Sequence, residues 1–217
     1  MVTIIKLVLA DKDLTLELIL SKFSMYNINS YNHYIFIDEY SNDLDQKINK
    51  IKKVSIIFLN KSKDINNKEL IKVWLWTKKK KFKFLVIDDV KLAFKFKADG
   101  IFITANNKKI STYKLYKNRF NLIGCVHNQL EYYFKKKQSC STIALSPIFF
   151  NPKFSKERAL KPIKFNLISI NWSETICALG GVNFSNIGKI SHSNKIKSIA
   201  YHRAIKNPPT NLIVDGL

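Results

Sequence analysis

Apolar residues change their spacing repeatedly along this chain. Over the first segment they recur at helical intervals, with Leu16, Ile19, Leu20 and Phe23 on one face, so residues 1–32 are expected to form a helical extension. From His33 onward the pattern becomes a series of short apolar runs: 33–37, 54–59, 82–87, 99–104, 122–127, 142–149, 175–179 and 196–202. Each run is too short for a helix and is apolar throughout, so each predicts a strand buried on both faces. The intervening stretches return to a helical period. Helices are expected over 43–53 (Leu44, Ile48, Ile51), 67–79 (Leu70, Ile71, Trp74, Leu75), 89–97, 111–117, 129–137 and 162–170. One more is expected after Asn183, carrying Ile187 and Ile190.

Strands alternating with helices predict a parallel sheet, and eight doubly buried strands predict its closure into a single α/β (β/α)8 TIM barrel. The expected organisation is an N-terminal extra helix (1–32), the barrel (33–207) and a C-terminal tail (208–217). In such a barrel the functional groups collect at the C-terminal ends of the strands. There the run Thr175 to Leu179 ends in Gly180-Gly181, followed by Asn183 at a helix N-cap position. The chain has six glycines, so an adjacent pair marks a special backbone. Without Cβ atoms, such a turn can bring N–H groups up to an anion, and a following helix N-terminus adds positive charge. A tight strand-to-helix turn with no ligand is the alternative. On the anion reading, a larger residue at Gly181 weakens phosphate binding and leaves the fold intact.

Composition narrows the possibilities. The 217 residues suit one domain, and a 46% hydrophobic content supplies a sizeable core. The net charge of +21 suits a polyanionic partner in principle. The lysines are nevertheless spread through nearly every segment beside abundant Asn, Ile and Phe, residue types that share A/T-rich codons. Genome composition is therefore a competing explanation of the charge, and nucleic acid is not the expected partner. The runs 78–81 and 135–137 fall at helix C-termini and are expected to be solvated there, complementing the macrodipole. Cys125, Cys140 and Cys177 show no zinc spacing and are expected as reduced, buried thiols of a cytoplasmic protein. Asp11, Lys12 and Asp13 follow Ala10 where a signal peptide would need a cleavage site, and no run of about 18 apolar residues offers a membrane span. The oligomeric state is not readable.

Five segments in order resemble the thiamine phosphate synthase/TenI family. Residues 63–70 (KDINNKEL) resemble the stretch that begins at the lysine of its QLREKD motif. Val86-Ile87-Asp88-Asp89-Val90, then Leu92-Ala93 and Ala98-Asp99-Gly100-Ile101, resemble its ND-x-x-x-LA…ADGVH signature. Residues 123–128 (IGCVHN) resemble GxSxH one residue short, 145–149 (LSPIF) resemble GPxF, and 178–183 (ALGGVN) resemble AIGGI. The likeness runs from about Tyr34 to Ile205.

The resemblance implies a synthase that joins hydroxymethylpyrimidine diphosphate to a thiazole phosphate and releases diphosphate with the help of Mg²⁺. It places Lys61 and Lys63 on the motif's cations, Asp88 on a metal carboxylate and Asn107 on the second metal position, where the family has an acid. It places Ser146 and Asn151 in the loop after the sixth strand, and Gly180, Gly181 and Arg203 around the phosphate. Leu59 stands where the family has glutamine, and Ile87 where it has asparagine. His127 matches a histidine that TenI-type members, which isomerise the thiazole, are proposed to use as acid and base. A thiazole tautomerase and a non-catalytic phosphate-binding barrel therefore stand beside the synthase. Read from the residues alone, Asp88 serves equally as an N-cap, and Lys61 and Lys63 as solvated loop charges.

Overall fold

Parallel strands pair in chain order and close on themselves: β1 (Asn32–Ile37), β2 (Val54–Phe58), β3 (Lys83–Ile87), β4 (Gly100–Ile103), β5 (Asn121–Val126), β6 (Thr142–Leu145), β7 (Thr175–Leu179) and β8 (Ile196–Tyr201). The computed structural model describes residues 30–49, 51–60, 68–150, 159–183, 186–190 and 195–201. The expected N-terminal helix and the C-terminal tail lie outside the described residues, although Asn32, expected to end that helix, opens β1 instead. The helices between the strands are α1 (Asn42–Ile48), α2 (Lys68–Lys80), α3 (Val90–Lys95), α4 (Ile110–Leu115), α5 (Gln129–Lys137) and α6 (Lys161–Ser169). No described helix is long and apolar enough to cross a membrane.

Register explains why the strands are apolar throughout. Phe36 lies opposite Ile57, Ile57 opposite Leu85, and Ile87 opposite Phe102. Phe102 then meets Ile123, Cys125 meets Ala144, and Ala144 meets Cys177. Leu179 and Tyr34 both pair with Ala200, which completes the circuit. These residues form one buried cluster, with Phe36 and Phe102 edge to face at 5.0 Å. Their strand neighbours, among them Ile35, Ile56, Phe84, Ile101, Leu122, Ile143 and Ile176, point the other way into a second cluster under the helices. Side chains alternate along every strand, so a barrel with both faces dry needs apolar residues at every position.

Several expected boundaries shift for identifiable reasons. Helix α1 stops at Ile48 rather than Lys53, because Asn49 caps it and Lys53 takes φ 55 to turn the chain into β2. Strand β6 stops at Leu145 rather than Phe149, because Pro147 has no N–H for the ladder. The apolar face of α2 is Leu70, Val73, Trp76 and Thr77, whereas Ile71 and Leu75 are exposed. Two indoles set that rotation: Trp76 Nε1 donates to Asp45 Oδ1 at 3.1 Å and Trp74 Nε1 to the Phe96 carbonyl at 2.9 Å. The helix expected after Asn183 is a single 3-10 turn, Ile187–Ile190.

Candidate active site

Among the residues expected at the C-terminal mouth, Ser146 and Gly180 come together. Both glycines have positive φ, 88° at Gly180 and 69° at Gly181, a region that L side chains rarely occupy. A Cβ on Gly180 would lie 2.7 Å from Pro147 Cα and 2.8 Å from Ser146 Oγ; one on Gly181 would lie 2.5 Å from the Phe150 carbonyl oxygen. The turn is therefore packed directly against the loop after β6, and Phe149 N donates to Gly180 O at 3.0 Å. This corrects the expectation that Gly181 tolerates a larger residue, since any Cβ there meets backbone that cannot move aside. The N–H groups of Gly180 and Gly181 have no partner among the described residues. Asn183 Oδ1 accepts from Asn186 N at 3.0 Å, and Asn186 Nδ2 donates to Gly181 O at 2.8 Å. Whatever positive potential the turn offers comes from its own N–H groups, because the element that follows has no α-helical macrodipole.

The second group sits where the loops after β3 and β4 meet. Asp88, at φ 53, accepts from Thr104 N at 3.0 Å and Asn107 Nδ2 at 2.8 Å on Oδ1, and from the Thr104 hydroxyl on Oδ2. The same Asn107 Nδ2 lies 2.7 Å from Tyr113 OH, which donates to the Asp88 carbonyl at 3.0 Å. Asn107 Oδ1 accepts from Lys109 N at 3.1 Å. The N-cap of α3 is Asp89, whose Oδ1 takes the Leu92 N–H at 2.8 Å, so Asp88 is not the cap. Under this group lies Lys135, fully buried, with Nζ 2.7 Å from both the Thr104 and the Asn107 carbonyl oxygens. Gln138 Nε2 adds a second donor to Asn107 O at 2.8 Å. Burial pushes the Lys135 ammonium below its ordinary pKa; burial and then the charge of Asp88 push the Tyr113 phenol up to about 12. Lys135 departs from the expectation of a solvated helix end, whereas Lys136 and Lys137 meet it.

His127 follows β5. Its backbone N–H donates to Glu131 Oε2 at 2.6 Å, and its Nδ1 lies 3.0 Å from the same oxygen. The ring is 45% exposed and borders a groove between α5 and α6 lined by Tyr132, Lys136, Leu167 and Trp172. A carboxylate on Nδ1 fixes the tautomer that leaves Nε2 as the basic nitrogen. The remaining expected residues, Lys61, Lys63, Asn151 and Arg203, lie outside the described residues. Thr104, Tyr113 and Lys135 were not foreseen. Gly124 carries the one sequence trace of Lys135, because a Cβ there would fall 2.7 Å from Lys135 Cγ.

Comparison with known proteins agrees with this architecture. Residues 46–205 match the family model described as thiamine monophosphate synthase. The thiamine-phosphate synthase of Staphylococcus haemolyticus is 32% identical over 117 residues, 51% of this chain and 53% of that protein. The chain thus spans about half the length of that curated relative. A thiamine phosphate pyrophosphorylase from Pyrococcus furiosus aligns with TM-score 0.66 at 17% identity, covering 81% of this chain and 87% of its own. An aldolase from Escherichia coli K12 aligns with TM-score 0.56 at 12% identity over 85% and 81% of the two chains. At these identities the structural likeness shows a shared barrel.

Proposed function

This chain belongs to the thiamine monophosphate synthase family, and on that premise we propose that it joins hydroxymethylpyrimidine diphosphate to a thiazole phosphate, giving thiamine phosphate and diphosphate. The observation that carries this reading is the glycine turn. The N–H groups of Gly180 and Gly181, without partners among the described residues, lie in the loop after β7, one of the two loops with which such barrels bind phosphate, and the Ser146 hydroxyl lies beside Gly180. Small phosphorylated molecules are the substrate class such a turn suits. The departing diphosphate carries several negative charges, so cations must meet it as they develop. Lys61, Lys63 and Arg203 are the residues we assign to that task, with Asn151 as a polar contact to the phosphate. Leu59 and Ile87 pack against the apolar barrel interior, so at these two positions this chain offers the pyrimidine no amide where its relatives' motif does. The three thiols are free and buried, which suits a reducing compartment, the cytoplasm in our reading.

The decisive experiment supplies purified protein with both precursors and follows thiamine phosphate by chromatography. Product above the uncatalysed background supports the synthase; none under any buffer or metal condition overturns it. The Glu131-oriented imidazole of His127 favours one alternative, a thiazole tautomerase. That reading predicts turnover of the thiazole precursor alone, lost in His127→Ala and kept when the pyrimidine substrate is omitted.

A further inference from the structure

Asp88 and Asn107 occupy the positions where the resemblance calls for a divalent metal, and their arrangement does not fit one. Mg²⁺ needs oxygen ligands directed at it in an octahedron. A carboxylate has about four lone-pair sites. On Asp88 three of these are taken, by Thr104 N and Asn107 Nδ2 on Oδ1 and by the Thr104 hydroxyl on Oδ2, so about one is left for any cation. The Asn107 group facing Asp88 is the NH₂, a donor, while its carbonyl oxygen is turned to Lys109 N. Reversing that amide would set an oxygen against the Asp88 carboxylate and a donor against the Lys109 N–H, losing the bonds to Asp88 and Lys109 together. A cation placed here would also face the Lys135 ammonium, buried 2.7 Å from the carbonyls of Thr104 and Asn107. Among the described residues no three His, Cys, Asp or Glu side chains are grouped to hold a metal.

We infer that Asp88, Thr104 and Asn107 form a closed, metal-free clasp seated on Lys135, so that this chain fixes the loop after β4 with its own buried cation. Each part has a complementary role. Asp88 gathers the donors of Thr104 and Asn107, and Lys135 gathers their carbonyls from beneath. Gly124 leaves the space through which the lysine stem passes. Tyr113 closes the group by bonding Asn107 and the Asp88 backbone. Lys135 is a positioning residue, since its ammonium is spent on backbone oxygens. The inference draws on the family reading only for the expectation of a metal at this place; it stands or falls on metal binding, which is measured without turnover.

The test titrates Mn²⁺ into the full chain, with and without inorganic diphosphate, and reads binding by electron paramagnetic resonance. Mn²⁺ affinity in Asp88→Asn is expected to match that of the unaltered protein within about twofold under both conditions, as for a residue that ligates no metal. A loss of about tenfold or more, the scale on which metal sites respond even to supporting residues, overturns the clasp. Should Asp88→Asn fail to fold, the unaltered protein decides the matter by nuclear magnetic resonance. The amide signals of Thr104, Asn107 and Lys109 are expected to stay sharp as Mn²⁺ is added with diphosphate. Selective paramagnetic broadening of those three signals overturns the inference. Neither outcome depends on whether thiamine phosphate is formed, so failure of the clasp and failure of the synthase assignment remain distinguishable.

Discussion

The stem of Lys135 crosses directly over Gly124: a Cβ on that glycine would lie 2.7 to 2.8 Å from Lys135 Cβ, Cγ and Cδ. A helix residue and a strand residue are thus fitted to one another across the outer layer of the barrel. The fit takes the ammonium to the carbonyls of Thr104 and Asn107 and makes a residue in a run of three lysines part of the core.

Gly124→Ala should destabilise the protein by about 1–3 kcal/mol, the usual range for overpacking a tight site. Adding Lys135→Ala removes Cγ and Cδ, two of the three stem atoms that the new methyl meets, and leaves only Cβ at 2.8 Å. The double variant should therefore lose less than the two single losses added together, by about 1 kcal/mol or more, as contacting residues do. Urea unfolding of the four proteins completes the cycle. Strict additivity would show that the glycine is there for another reason.

The glycine turn and its serine should separate under substitution. Gly181→Ala puts a methyl 2.5 Å from the Phe150 carbonyl oxygen on a backbone of φ 69, so stability falls whether or not a ligand is bound. Ser146→Ala removes only a hydroxyl beside Gly180. It should leave the melting temperature within about 2 °C, a change below ~1 kcal/mol, and weaken thiazole phosphate binding several-fold. Calorimetric titration checks both. Unchanged affinity in Ser146→Ala would remove the hydroxyl from the phosphate grip.

How much of this was legible depends on how far a signal travels along the chain. Strand β7 and helix α5 have the bounds that the sequence pattern predicts, because each is set by its own run of residues. Strand β6 ends before the apolar run does: Ile148 and Phe149 continue the run after Pro147, pack on the core and bond the Leu179 and Gly180 carbonyls beyond the strand's own end. The face of α2 was misjudged because Ile71 and Leu75 keep helical period as well as Val73 and Trp76 do. Asp45 and Phe96, distant in sequence, choose between the two faces by bonding the indoles. That Asp88 and Asn107 share one site followed from the family resemblance, which places both on metal positions. Which end of the Asn107 amide meets the carboxylate did not, because Lys109, Tyr113 and Lys135 decide it in space.

Acid should weaken the α1–α2 contact. Burial raises the Asp45 carboxyl, but hydrogen bonds from Lys80 and Trp76 and the charges of Lys80 and Lys79 outweigh it, leaving it below its ordinary value of 3.8. A depressed folded value means the unfolded chain binds the proton first. The stabilisation is therefore complete above pH 3.8 and disappears as pH falls through the folded value. Asp45→Asn should cost about 1 kcal/mol at pH 7 for this partly buried pair, and the difference from the unaltered protein should close in strong acid. A difference that does not change with pH would mean that packing, not charge, holds the contact.

Replacing Lys135 by methionine sets two large effects against each other. Taking an ammonium out of a buried site relieves a desolvation cost, and swapping a whole buried ion pair for apolar groups is often neutral or better. Here only the donor goes. Asn107 O keeps Gln138 Nε2 at 2.8 Å and Thr104 O keeps Asn107 N at 3.1 Å, but each carbonyl loses its charged donor. Losing hydrogen bonds to a charged donor costs about 1.5–3 kcal/mol, and Asp88 loses a nearby positive charge. Lys135→Met should thus be less stable at pH 7 by about that amount, with the loop after β4 exchanging its amide protons faster. The sign of the pH dependence follows from burial, which lowers the folded pKa of Lys135 below its ordinary 10.5. Between those two values the unfolded chain holds the extra proton, so the unaltered protein gains stability on the methionine variant as pH rises through that window. Denaturant titrations of both proteins from pH 7 to 10 measure the gap. A gap that narrows with pH, or a methionine variant more stable at pH 7, would show that the ammonium is a tolerated burden rather than the seat of the loop.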